Sequence, residues 1–290
     1  MKITQLIGIF GALALAACNA GIEPIEQRFV TPGEQDPAAY AAYLATLNSY
    51  KQSDHYTVCA RFENASERIE SEKNCLRSLP DSLDIVFLVN PPSKFDLEDI
   101  PAMQEKGTRV VLRADCPDPA TAVAKVDEAL AAIAADGLDG IVVAFTGPVT
   151  PAAQAASATI AAKVAALGKT ALFEGNAAFV AAADRSKFDF YLLDATQSAS
   201  ILTLRSDATY LTGYLGIPAE KILPAVKPFG VLNDIEGRSQ EACKLVPQEA
   251  AALSMGGVAV YDASADYHSA LGTYPRIRNA IDILNPAHEK

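Results

Sequence analysis

The sequence predicts an α/β protein folded as a (β/α)8 barrel. Short apolar runs rich in β-branched residues alternate with longer helical patterns through most of the chain, which argues for a parallel sheet. Eight such runs are present, the number that closes a barrel. The chain has 290 residues and is 50% hydrophobic, enough for one such domain with a real core.

The amino terminus stands apart from this pattern. Lys2 precedes an apolar stretch, Leu6 to Ala16, and Leu15-Ala16-Ala17-Cys18 looks like a bacterial lipobox. Residues 1–17 are therefore expected to be a lipoprotein signal peptide, with Cys18 lipidated. Residues 18–35 are expected to be a tether and 36–290 the barrel. Asn19 follows the cysteine, which by analogy with lipoprotein sorting points to the outer membrane of the cell envelope. No other apolar run is long enough to span a bilayer.

Asp36-Pro37 opens a helix with a capping residue and Pro at its first position, and the pattern fades near Tyr50-Lys51-Gln52. The eight strands are expected at His55–Phe62, Asp84–Val89, Thr108–Ala114, Asp139–Phe145, Lys169–Phe173, Phe188–Leu193, Ile222–Val226 and Gly257–Tyr261. Helices are expected at Pro119–Ala135, Pro151–Leu167 and Tyr274–Leu284, the last stopping at Asn285-Pro286. The connection from Glu63 to Leu79 is the least helical.

Composition excludes several functions. A net charge of −11 opposes binding to nucleic acid or to anionic lipid. His55, His268 and His288 are widely separated and form no metal set. There is no nucleophile elbow and no phosphate-binding Gly loop, and no cofactor is expected. Cys59, Cys75, Cys116 and Cys243 match no zinc spacing; disulfides and buried thiols are both open.

The fourth strand and its approach, Asp136-Gly137-Leu138-Asp139-Gly140-Ile141-Val142-Val143, resemble the strand-four signature Asp-Gly-x-Asp-x-Asp-x-Glu of glycoside hydrolase family 18. That family holds chitinases and endo-β-N-acetylglucosaminidases. Further similarity, to a Bacteroidetes lipoprotein branch, lies in Ser53-Asp54-His55, Leu79-Pro80-Asp81-Ser82-Leu83-Asp84, Gly256 to Asp262, Asp266-Tyr267, Tyr274 to Arg278 and Asn285-Pro286. The resemblance implies a barrel whose signature Glu protonates a leaving oxygen while its Asp supports the substrate's acetamido group. In this register Asp136, Gly137 and Asp139 are retained. Ile141 stands at the second carboxylate and Val143 at the acid. Neither carries a proton, so no catalytic residue is expected. Near strand six, Asp194 and Thr196 stand where endo-acting relatives place a Gln and a Tyr.

In a barrel the site forms at the carboxyl ends of the strands. That rim offers Arg61, Asn90, Asp139, Phe145, Glu174, Asp194, Tyr261 and Asp262 as candidate glycan-binding residues, with Tyr191 and Tyr267 as further stacking candidates. The chain has no Trp, the largest stacking face. The resulting expectation is a catalytically degenerate, lipid-anchored barrel that binds glycan, partnered by glycan-uptake transport proteins. The alternatives are an active hydrolase using Glu174 and Asp194 as displaced carboxylates, and an envelope scaffold whose mouth is filled by Ile141, Val143 and Phe145.

Overall fold

The computed structural model describes residues 31–64, 69–270 and 272–287. The expected signal peptide with Cys18, most of the expected tether and His288 lie outside them. The chain falls into two compact units that divide between Ala42 and Tyr43. The first contains α1 (Pro32–Gln35) and the start of α2 (Pro37–Gln52). There Asp36 caps α2 by accepting a hydrogen bond from the Ala39 N–H at 3.0 Å.

The second unit is a closed barrel of eight parallel strands. In chain order these are β1 (Thr57–Phe62), β2 (Ile85–Leu88), β3 (Arg109–Asp115), β4 (Gly140–Phe145), β5 (Thr170–Gly175), β6 (Phe190–Asp194) and β7 (Ile222–Val226). A two-stranded hairpin follows, β8 (Val231–Asn233) and β9 (Ser239–Glu241), and β10 (Gly257–Val260) then closes the barrel between β7 and β1. The helices between them are α3 (Lys94–Glu105), α4 (Pro119–Asp136), α5 (Pro151–Leu167), α6 (Ile201–Thr209), α7 (Ala242–Ala252) and α8 (Pro275–Leu284). Between β1 and β2 the described residues form only short 3-10 turns, where the sequence pattern is weakest. The hairpin is absent from the elements that the sequence predicts. Its three-residue strands are too short to carry an alternation.

Helix ends follow local chemistry. Asp118 accepts from the Ala120 N–H at the head of α4, and Pro119 occupies its first turn. Gly137 ends α4 in the left-handed region at φ 68°, its N–H bonded to the Ile133 carbonyl. Ser93 and Asp96 form a reciprocal capping box on α3.

Alternation along the strands makes two cores. One lies inside the barrel and takes a residue from every barrel strand: Cys59, Phe87, Val111, Val142, Leu172, Leu192, Ala225 and Ala259, with Tyr261 just beyond β10. The other lies between strands and helices and holds Val86, Leu112, Ile141, Val143, Phe145, Phe173 and the apolar faces of α4, α5 and α8.

The floor of the barrel, at the amino ends of the strands, is tied by three aspartates. Asp84 accepts from the Val58 N–H at 2.8 Å, Asp139 from Val110 N–H at 2.8 Å and Asp189 from Ala171 N–H at 2.9 Å. Each precedes an even-numbered strand and caps the N–H of the second residue of the odd-numbered strand before it. Such donors have no partner in the parallel ladder and are costly to bury unsatisfied. The four cysteines of the described chain are free and buried, and burial raises the thiol pKa values of Cys116 to about 11 and Cys243 to about 12. They act as small apolar side chains.

Candidate functional site

The mouth is built by inward-facing residues one step beyond the lumen core. Arg61 follows Cys59 on β1, Arg113 follows Val111 on β3, and Glu174 follows Leu172 on β5. Tyr261 and Asp262 follow β10, and Lys227 follows β7.

These groups pair with one another. Glu174, 7% exposed, accepts from Arg113 Nε at 2.6 Å and lies 3.8 Å from an Arg61 nitrogen. Arg61 also donates to Glu63 at 2.9 Å and to Asp262 at 3.2 Å, and Lys227 lies 2.8 Å from Asp262. Arg113 reaches Asp115 at 3.4 Å. The Arg61 guanidinium sits 4.1 Å from the centroid of the Tyr261 ring, a cation–π contact that clamps the phenol from above. Beneath this layer Val142, Leu172, Phe87 and Tyr261 are almost wholly buried. The axis of the barrel is thus closed by an ion-paired lid over an apolar floor.

Two buried atoms in the lid make no hydrogen bond within the usual distance and angle among the described residues. They are the Tyr261 hydroxyl and Glu63 Oε2. Burial, with Glu174 and Asp194 nearby, pushes the Tyr261 phenol well above its usual pKa, so it remains a neutral hydroxyl. Burial also raises the Glu63 carboxyl pKa, which Arg61 opposes and Asp262 reinforces. Burial acts to raise Asp262 too, but Lys227, Glu63 and Arg61 outweigh it and hold that carboxyl below its usual value. Asp262 sits in the left-handed backbone region, at φ 54°, which is costly for a non-glycine residue and is found where the surroundings fix it.

The structure brings Arg61, Glu174, Tyr261 and Asp262 together, as the sequence predicts. Asn90 and Asp194 stay at the carboxyl ends of their strands but outside this network, and Asp139 and Phe145 lie elsewhere. Asn90 is exposed and locked to the neighbouring loop: its N–H donates to the Asn64 side chain at 2.9 Å and its amide to the Asn64 carbonyl at 2.9 Å. Asp194 is exposed and accepts from the Thr196 N–H at 2.8 Å. Asp139 belongs to the floor, where one oxygen accepts from Val110 N–H and from Gln104 Nε2 at 3.0 Å. It is a strand cap at the end opposite the mouth.

The β4 residues also change face. Ile141, Val143 and Phe145 point outward into the helix-facing core, and Phe145 stacks on Phe179 with centroids 3.8 Å apart. They neither line nor fill the mouth, contrary to the expectation from sequence. The lumen face of β4 carries Gly140, Val142 and Ala144, with Ala144 beside Glu174 in the ladder. Thr146 follows, exposed, at the carboxyl end.

The expected stacking residues are engaged by the protein itself. Tyr191 is 1% exposed and donates to the Arg185 carbonyl at 2.9 Å. The Tyr267 hydroxyl donates to Glu72 at 2.7 Å. A large aromatic outside the predicted set, Phe229, is 60% exposed on the loop leaving β7. Its only sequence signal is a Pro-Phe-Gly turn after a strand. Among the described residues no group of three or more His, Cys, Asp or Glu is placed to hold a metal ion.

Similarity to known proteins fits this architecture. Residues 22–132 match the family model described as glycoside hydrolase family 18, BT1044-like. The match ends before β4. A selenomethionine variant of BT1044 superposes with a TM-score of 0.69 at 17% identity, covering 89% of this chain and 96% of that one. An endo-β-N-acetylglucosaminidase from Cordyceps militaris gives 0.63 at 18%, covering 84% and 96%. A chitinase from Bacteroides thetaiotaomicron gives 0.59 at 11%, covering 82% and 99%. Comparison with curated proteins by sequence gives no match. The chain is glycoside hydrolase family 18-like in its matched segment, and its barrel has the fold of that family's chitinases and endo-β-N-acetylglucosaminidases.

Proposed function

We propose that this family-18-like barrel is a lipid-anchored envelope protein that binds glycan without hydrolysing it. The observation that carries the proposal is the lumen face of β4. The signature's last three acidic residues alternate, so all three must face the lumen to meet a substrate. The chain has a second Asp-Gly, at Asp139-Gly140, three residues after the first. Started there, the signature's last three acidic positions fall on Val142, Ala144 and Thr146. Val142 and Ala144 are the lumen-facing residues of β4, and Thr146 ends at the mouth. Starting at Asp136 puts the same positions on Asp139, Ile141 and Val143, of which the first is on the floor and the others face the helices. In the lumen-facing register these positions carry no carboxyl group to protonate a leaving oxygen or to support an acetamido group, and Thr146 offers only a hydroxyl.

The displaced-carboxylate alternative loses support from the same geometry. Both Glu174 oxygens are engaged by guanidinium groups, and Asp194 caps its own loop. Glycan binding draws on the neighbours: one structure similar to this chain holds an endo-β-N-acetylglucosaminidase with fucosyl-N-acetylglucosamine-Asn, another a class V chitinase with a tetrasaccharide. Lipidation at Cys18, an outer-membrane location and glycan-uptake partners complete the proposal from the sequence.

The test is calorimetric titration of the full-length chain, in mild detergent, with N-glycans and N-acetylglucosamine oligomers, with product analysis of the same mixtures. Saturable heat with no new reducing ends is expected. Product formation that survives Thr146→Ala and disappears in Glu174→Gln would establish the displaced-carboxylate enzyme. Neither heat nor product would leave the scaffold.

A further inference from the structure

A glycan on this barrel needs a surface for the apolar C–H face of a pyranose ring, and aromatic side chains supply one at low conformational cost. The barrel axis offers none, because Arg61, Arg113 and Glu174 close it and Tyr261 beneath them is 2% exposed. The exposed aromatics Tyr43, Tyr210 and Tyr214 stand on α2 and on the turn at the far end of α6. Phe229 alone among these exposed rings follows the carboxyl end of a barrel strand.

Its setting is that of a fixed platform. The Gly230 N–H donates to the Lys227 carbonyl at 3.0 Å, closing a four-residue turn. Pro228 is buried at the second position and Phe229 occupies the third. The Arg276 guanidinium covers one face of the ring, 4.2 Å from its centroid. Arg276 is itself anchored: its N–H donates to Asp266 at 2.9 Å, its guanidinium lies 3.6 Å from that carboxylate, and Asp266 is 1% exposed. One face of Phe229 is thus held and the other is open. Beside it the Lys227–Asp262 pair is partly exposed at both ends and joins the turn directly to the mouth.

Building on the glycan-binding reading above, we propose that the ligand lies on the β7–β10 rim, off the barrel axis. Phe229 is the stacking platform and Lys227 and Asp262 bond the sugar hydroxyls. The ligand class is an uncharged pyranose chain. The turn and the Arg276 backing pre-organise the ring, so little side-chain entropy is lost on binding. A chain of net charge −11 disfavours an anionic glycan. Val231 and Ile235, 64% and 61% exposed on the hairpin beyond, extend the apolar ridge.

The experiment is calorimetric titration of the full-length chain with the N-acetylglucosamine tetramer, using wild type, Phe229→Ala, Phe229→Trp and Thr146→Trp. Thr146 follows β4 across the mouth, where a Trp obstructs the axis but not the β7–β10 rim. Phe229→Ala is expected to weaken binding about tenfold or more, the worth of one aromatic contact. Phe229→Trp is expected to bind as well as wild type or better, and Thr146→Trp unchanged. Thermal unfolding by circular dichroism should be the same for wild type and the Phe229 variants. Loss of binding in Thr146→Trp with none in Phe229→Ala would put the ligand on the axis and overturn the rim site while sparing glycan binding. A loss in Phe229→Ala that Trp does not restore would overturn the stacking role. No heat with wild type, nor with a cellulose tetramer, would overturn both readings and leave the apolar ridge to a protein partner.

Discussion

The two ends of this barrel use the same residue type in opposite ways. At the floor, Asp84, Asp139 and Asp189 each meet a backbone N–H whose position the strand dictates. At the mouth, Glu63, Glu174 and Asp262 meet long cationic side chains, and Arg61 serves all three. Floor bonds leave no choice of partner. Mouth bonds are shared and leave Glu63 Oε2 and the Tyr261 hydroxyl over. A carboxylate that caps backbone contributes to stability; one that shares a guanidinium can be redirected when a ligand arrives.

Asp84, among the floor carboxylates, holds both a backbone and a side-chain partner. It accepts from Val58 N–H and pairs with His55 at 2.8 Å, at 4% exposure. Asp84→Ala strands both and should cost about 3 kcal/mol in urea denaturation. Glu174→Ala should cost less, about 2 kcal/mol, because Arg113 keeps Asp115 and Arg61 keeps Glu63 and Asp262 within reach. A larger loss at Glu174 than at Asp84 would reverse the contrast between the ends.

His55 sharpens it through pH. Its ring nitrogens face two acceptors, Asp84 and the Ser53 carbonyl, and the Asp84 bond raises its pKa above 6.5. The folded state therefore holds the imidazolium proton more tightly. The added stability is complete below the unfolded value and is lost as pH rises through the folded one. The stability gap between wild type and His55→Gln should be wider at about pH 5 than at about pH 9.

Glu63→Gln should give the smallest effect. The folded carboxyl pKa is raised from 4.5, so Glu63 favours folding below that pH and disfavours it as pH climbs through the raised value. Gln keeps the neutral form at every pH. Its stability should differ from wild type by less than about 1 kcal/mol, with a flatter profile from pH 4.5 upward. An unchanged profile would show that the Glu63 carboxyl titrates alike in the folded and unfolded chain.

The strands were legible because parallel barrel strands are buried on both faces and read as β-branched runs. Ile222–Val226 is predicted to the residue, and the other strands differ by a residue or two at their ends. The register of the signature was not legible. Two Asp-Gly pairs stand three residues apart, and an odd offset on a period of two exchanges the faces of a strand. The structure separates them by chemistry: Asp136 is the last residue of α4 and Gly137 its left-handed cap. The mouth network escaped too, since Arg113 and Glu174 are 61 residues apart and only the barrel makes them neighbours. Phe229 lay in a turn, where no periodicity marks a side chain as exposed or buried.

The floor aspartates also bear on how the chain comes together. They clasp β1 to β2, β3 to β4 and β5 to β6, across 26, 29 and 18 residues. The entropic cost of closing a loop rises with its length, so these three pairings form at lower cost than contacts that span the chain, and short separations favour fast assembly. The first six strands are thus three self-clasping doublets, with β7, β10 and the hairpin closing the ring around them. New chain ends opened between doublets, after β2 or β4, leave every clasp intact. Ends opened within a doublet turn a local clasp into one that must be found across the whole chain.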